Sequence, residues 1–256
     1  MSLAGVGCIL LAAGVSSRMG EPKLLKVPQV KAGDEPHGKT VGTAGGKTVF
    51  EITLDRHLES SLKRIAAVVP GWLAGFGPLM ERCSSDRVSF VVIDRPCLMS
   101  DSLKAGWKHL CARGDLDAIM ISLADQPLVT AGTIDKLIRC FSDSGEPICL
   151  PVFDGRRGRP VVIAPGLGDE ILALEGDRGA RSILAKHHEE IAEVAVASDE
   201  VHLDFDRPGD LEKLAARLNI DVTGGAEATG SSDATGAGDQ SGGGDGAGGI
   251  GQAGDA

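Results

Sequence analysis

Short, continuous apolar runs alternate with longer segments of helical periodicity along most of this chain. Val6–Leu11, Ile65–Val69, Val88–Ile93, Ala118–Leu123 and Ile148–Val152 each read as a strand buried on both faces. Between them, Leu103, Gly106, Trp107 and Leu110 fall at i, i+3, i+4 and i+7, as do Ile134, Leu137, Ile138 and Phe141, and Thr130 is placed to cap that second helix. Val161–Ala164 and Val201–Phe205 predict two further strands, the latter ending at Asp204-Phe-Asp206. A last helix is expected from Pro208, with Leu211, Leu214, Ala215 and Leu218 on one face. This alternation predicts an α/β domain: a mostly parallel sheet of Rossmann-like type in three layers, α/β/α. Ligands of such sheets lie beyond the carboxyl ends of the strands, at a switch point in strand order. Functional residues should therefore follow strands directly.

Two segments fall outside the pattern. Residues 27–45 are polar, rich in Gly, Lys and Pro, and without period, which reads as an insertion loop. Residues 222–256 are built from Gly, Ala, Ser, Thr and Asp, with Val222 and Ile250 the only large apolar side chains. Such a stretch buries too little apolar surface to offset the ordering of its backbone, at ~1–2 kcal/mol per residue. The expected organisation is one domain over residues 1–221 and a disordered tail.

Composition narrows the class. Of 256 residues, 42% are apolar and 24% charged, as in ordinary globular proteins, and the net charge of -10 excludes a basic nucleic-acid footprint. No run reaches the ~18 apolar residues of a membrane span, and no signal peptide is evident. Six scattered cysteines without a C-x-x-C pair fit reduced thiols and a cytoplasmic protein, with no zinc site. The histidines read as surface or packing residues.

Candidate chemistry follows the first strand. Leu11 ends it and the small residues Ala12, Ala13 and Gly14 follow, so a flat base or a phosphate can approach the backbone. Ser16 and Ser17 add hydroxyl donors, and Arg18 and Lys23 add two cations, one suited to forked phosphate contacts and one a point charge. Together they make a triphosphate cradle. A Gly/Ser turn with solvated cations is the plain alternative. After the fourth strand comes Ala124-Asp125-Gln126-Pro127, where a carboxylate at a strand end suits a magnesium ion shared with substrate phosphates. Asp204 and Asp206, on a strand of period two, should face the same side, which is unfavourable unless a cation or solvent separates them. Arg156, Arg157, Arg159 and Arg181 form a basic cluster able to stack and to fork-bond, or else a solvated loop.

The segment Leu11-Ala-Ala-Gly-Val-Ser-Ser-Arg-Met-Gly-Glu-Pro-Lys23 resembles the signature loop of nucleotidyltransferases with a sugar-nucleotide-type fold, and among them the molybdenum cofactor cytidylyltransferases. Gly46-Lys-Thr-Val-Phe-Glu51, Leu98–Gly106, Leu123–Val129, Gly155–Pro160, Gly176–Arg181 and Asp204–Asp210 are similar to that family's later segments, in the same order. The resemblance spans residues 5–218, without the insertion. It implies cytidylyl transfer from CTP to the terminal phosphate of molybdopterin, with Mg2+ (or Mn2+) and pyrophosphate release. It gives Arg18, Lys23 and Asp125 the catalytic roles, places the second metal-facing carboxylate at Asp206, and makes the arginine cluster the acceptor site. An implied partner is a xanthine-dehydrogenase-type molybdoenzyme or its chaperone. Ala13 within Ala-Ala-Gly resembles the cytidylyl rather than the guanylyl branch.

Arg159 stands where relatives often carry His, and Arg207 and Gly209 stand where they tend to have Thr and Glu. Guanylyl transfer, transfer to a sugar or polyol phosphate, and a non-catalytic cofactor carrier remain alternatives. Retention of Arg18, Lys23 and Asp125 argues against the carrier. Gly33-Asp-Glu-Pro-His-Gly-Lys-Thr40 matches a P-loop by letter, but no buried strand precedes it and no helical pattern follows, so it is set aside.

Overall fold

A computed structural model describes residues 3–14, 22–28, 46–177, 179–205 and 208–224, with the side chains of 208–209 and 219–224 excepted. In chain order the elements are β1 (Val6–Leu11), α1 (Val49–Leu58), β2 (Arg64–Pro70), α2 (Phe76–Cys83), β3 (Val88–Ile93), α3 (Met99–Cys111) and β4 (Ala118–Leu123). There follow α4 (Ala131–Ser144), β5 (Ile148–Phe153), β6 (Arg156–Arg157), β7 (Val161–Ile163), α5 (Gly168–Leu172), α6 (Arg181–Lys186), β8 (Ile191–Ala195) and α7 (Pro208–Gly224). The strands form one sheet in the order β3-β2-β1-β4-β7-β5-β6, with β8 beside β5. β3, β2, β1 and β4 run parallel to one another, and β8 runs parallel to β5. β7 is antiparallel to both of its neighbours.

The two-residue period of the strands sorts the core onto two faces. Val6, Cys8 and Leu10 of β1, with Ala118 and Met120 of β4, pack among Phe50, Leu54, Ile134, Leu137, Leu214 and Leu218 from α1, α4 and α7. Ile9, Ile119 and Ile121 face the other way, onto Leu103, Trp107 and Leu110 of α3 and Ile171 and Ile183 of α5 and α6. The expected α/β/α layering is therefore present. Gly106 lets α3 lie close: a Cβ there would stand 2.6 Å from Ile9 Cγ2 and 3.0 Å from Val68 Cγ2.

Helix ends follow local rules. Thr48 caps α1 through Glu51 N–H (3.3 Å) while the Glu51 carboxylate accepts Thr48 N–H (2.9 Å), a reciprocal box. Thr130 Oγ1 accepts Thr133 N–H at 3.2 Å, as its position in the sequence predicts. All six cysteines are free thiols. Among the described residues, no helix is long and apolar enough to cross a membrane.

One expectation needs correction. Val201–Phe205 is not a strand: Asp199–His202 is a 3-10 turn followed by extended chain. Its alternation arises because Val201 and Phe205 are both buried anchors (1% and 6% exposed) of an unpaired segment. The period-two argument for Asp204 and Asp206 therefore lapses. The place beside β5 belongs instead to β8, which the sequence pattern did not single out. The last helix, α7, begins at Pro208 as the sequence predicts and runs to Gly224.

Candidate active site

β1 lies between β2 and β4, so the chain leaves β1 toward one side and β4 is added on the other. This is a topological switch point. The ladders run on past both strand ends: Ala12 N–H reaches Val68 O at 2.9 Å, and Ala124 N–H reaches Leu11 O at 3.0 Å. The two motif turns thus leave the sheet side by side.

Between them opens a cavity of about 410 Å3, walled by Ala12, Ala13, Gly14, Lys23, Ser102 and Asp125 among others. Among the described residues, a Cβ on Gly14 would meet nothing within 4 Å. Lys23 begins a 3-10 turn, Lys23–Leu25, which buried Leu24 anchors. Lys26 O of that turn accepts Val49 N–H of α1 at 2.9 Å. Lys23 Nζ donates to Asp125 Oδ2 at 2.6 Å, with side-chain exposures of only 16% and 18%. Pairing across so sheltered a site is what makes two buried charges tolerable.

The Asp125 turn is gripped from below and from the side. Below it, the Thr53 hydroxyl lies 2.9 Å from both Ala124 O and Val49 O. His57, fully buried, lies 2.7 Å by Nδ1 from Thr53 O and 2.8 Å by Nε2 from Ser122 Oγ. A carbonyl only accepts, so Nδ1 carries the proton and Nε2 accepts from the serine. Burial pushes the His57 pKa down to about 4 and keeps the ring neutral. From the side, Phe205 N–H donates to Asp125 O at 3.1 Å.

A second cavity of about 520 Å3 shares Leu11, Met99, Leu123 and Asp177 with the first. Arg156, Arg157, Arg159 and Arg181 line it above an apolar floor that includes Ile121 and Leu150. The four arginines are not equivalent. Arg157 Nε donates to Glu193 at 2.7 Å, and Arg159 Nη2 bridges both oxygens of Asp204 at 3.0 and 2.7 Å. Arg156 and Arg181 have no side-chain hydrogen bond or ion pair among the described residues.

The structure thus brings Leu11, Ala12, Ala13, Gly14, Lys23 and Asp125 to one cavity and the four arginines to the next. Ser16, Ser17, Arg18 and Asp206 lie outside the described residues, as does the P-loop-like stretch Gly33–Thr40. Sequence reasoning did not single out Asp177. Its Oδ1 accepts Met99 N–H at 2.9 Å at the start of α3, and it borders both cavities. Its only sequence signal was membership of Gly176–Arg181.

Solved structures with this fold include a nucleotidyl transferase from Methanothermobacter thermautotrophicus (TM-score 0.63, 20% identity, 85% of this chain and 98% of that one). A homolog of Rv0371c from Mycobacterium sp. strain JC1 is similar at TM-score 0.62 and 23% identity, over 85% of this chain and 98% of that one. Rv0371c of Mycobacterium tuberculosis H37Rv, in complex with manganese, gives TM-score 0.60 and 20% identity, over 83% and 98%. No curated protein sequence matches the chain. The chain shares the α/β fold of these structures. Residues 8–191 match the MobA-like NTP transferase domain, and the chain belongs to that family.

Proposed function

We propose that this enzyme transfers a cytidylyl group from CTP to the terminal phosphate of molybdopterin, releasing pyrophosphate. The observation that carries this reading is the sheltered 2.6 Å pair of Lys23 and Asp125 in the small-residue cavity. Magnesium takes one or two protein carboxylates and completes its shell with water and phosphate oxygens. Among the described residues no group of three or more His, Cys, Asp or Glu could hold a metal by itself. One carboxylate in the cavity that Gly14 lines fits an ion that arrives with a triphosphate. Asp125 would hold it, with Asp206 as second ligand by the sequence resemblance. A bound ion would stabilise charge on the α-phosphate and the departing pyrophosphate. Manganese is the alternative ion.

In this mechanism Lys23 exchanges its bond to Asp125 for one to a phosphate oxygen, and Arg18 adds a second cation. An oxygen of the acceptor phosphate attacks the α-phosphorus. The new P–O bond forms as the bond to the bridging oxygen breaks, and pyrophosphate leaves with that electron pair. An ionised phosphate is already a nucleophile, so no protein nucleophile is required. Arg156 and Arg181, over their apolar floor, suit the phosphate and ring of a pterin. Ala13 supports cytosine over guanine.

The test is pyrophosphate release from CTP with molybdenum-loaded molybdopterin. Asp125→Ala should lower turnover by at least ~10^2–10^3 while circular dichroism shows the fold intact. A preference for GTP, or turnover with a sugar phosphate in place of molybdopterin, would replace the substrates proposed. Full activity of Asp125→Ala would remove the mechanism.

A further inference from the structure

Arg159 stands in the acceptor cavity, yet its guanidinium is turned to the protein itself. Its Nη2 lies 3.0 and 2.7 Å from the two oxygens of Asp204. Asp204 Oδ1 also accepts from Gln126 Nε2 at 2.8 Å. Gln126 is 1% exposed, and this bond fixes its amide, because the reverse placement would oppose two oxygens. Gln126 follows Asp125 directly, and Phe205, next to Asp204, donates its N–H to Asp125 O. Main-chain packing reinforces the link. Arg159 N–H reaches Val201 O at 3.0 Å, and a Cβ on Gly158 would stand 2.6 Å from Val201 Cγ2. Three separate chain segments, at 125–126, 158–159 and 201–205, are locked together through one carboxylate.

We propose that Arg159 is a positioning residue for the metal-binding turn, acting through Asp204, and not a contact to the acceptor. This rests on the reading of Asp125 as the metal ligand. The clamp holds the Asp125 turn against the 201–205 segment, so the Asp125 carboxylate is presented from a fixed frame. Asp204 serves the clamp and is not itself a ligand. Acceptor recognition then falls to Arg156 and Arg181, the two cavity arginines without side-chain partners among the described residues.

The experiment is a double-mutant cycle on the full chain, using Arg159→Ala, Asp204→Ala and the double variant. Two readouts are needed: Mn2+ affinity in the presence of CTP, by electron paramagnetic resonance titration, and steady-state kinetics. Each single variant should weaken Mn2+ binding and lower kcat by about tenfold, and the double variant should be no worse than the poorer single. KM for the acceptor should stay within about twofold of wild type. Arg159→Lys and Asp204→Asn, which keep part of the contact and most of the volume, should fall between and guard against loss of fold. A tenfold rise in acceptor KM that persists unchanged in the Asp204→Ala background would overturn the proposal. So would wild-type Mn2+ affinity and kcat in both single variants while Asp125→Ala binds no ion. If Asp125→Ala itself keeps Mn2+ affinity, the underlying metal reading fails instead.

Discussion

At the scale of single residues, the arginine cluster separates by pairing rather than by position. A charge already neutralised at 2.7 Å, as Arg157 is by Glu193, has little left to offer an incoming anion. Arg156 and Arg181 have no such partner among the described residues. Each charge-assisted hydrogen bond to a bound phosphate contributes roughly 1.5–3 kcal/mol. Arg156→Ala and Arg181→Ala should therefore raise acceptor KM by roughly 10–100-fold, and Arg157→Ala by much less; initial-rate kinetics against acceptor concentration separate the cases. Equal effects of the three substitutions would contradict this ranking. The sequence could bring these arginines into one cluster, because local spacing and the resemblance both place them. It could not tell them apart, because Glu193 and Asp204 lie 36 and 45 residues from the arginines they engage. Asp125 and Lys23 were legible for the opposite reason: each sits where a buried strand or its following turn must deliver it.

At the scale of elements, α1 is the beam under the site. It ties to the Lys23 turn through Val49 N–H and to the end of β4 through Thr53 and His57. Because His57 has its pKa depressed to about 4 in the folded chain, against 6.5 when solvated, only the unfolded chain takes up this proton between those pH values. Its contribution is thus whole above about pH 6.5, falls as the pH drops, and levels off below about 4, with a span of about 3 kcal/mol. A denaturation series from pH 7 to 4 on wild type and His57→Gln should show a steeper acid loss in the wild type. Parallel curves would mean that the ring is not held neutral. Strands β1 and β4 of the buried centre were legible to the residue, since burial on both faces leaves a nearly continuous apolar run, whereas β3, read from the sequence as fully buried, is a partly exposed edge strand. β8 was not, because it is half exposed and carries Glu193 mid-strand. The stretch 201–205 misled because two buried anchors four residues apart imitate alternation.

At the scale of the molecule, the fold class was legible because apolar runs and helical faces alternate through most of the chain. The 3-10 turn and the antiparallel placement of β7 were not, since both depend on contacts between distant segments. Beyond Gly224, residues 225–256 hold one large apolar side chain, Ile250, and five acidic residues. Such a segment has little with which to join the core. A chain ending at Gly224 should keep wild-type kcat and melting temperature; a drop in either would show that the tail serves the catalytic domain.

The reversed strand β7 has a consequence for how this architecture diversifies. It joins the 6–123 portion of the sheet to the 148–195 portion by three residue pairs only, Ile119 with Ile163, Met120 with Val162 and Ile121 with Val161. On one side of that narrow seam lie Lys23 and Asp125 with their cavity, and on the other the arginine-lined wall. Substitutions can accumulate in the wall and reshape the second cavity while the Lys23–Asp125 cavity is inherited unaltered.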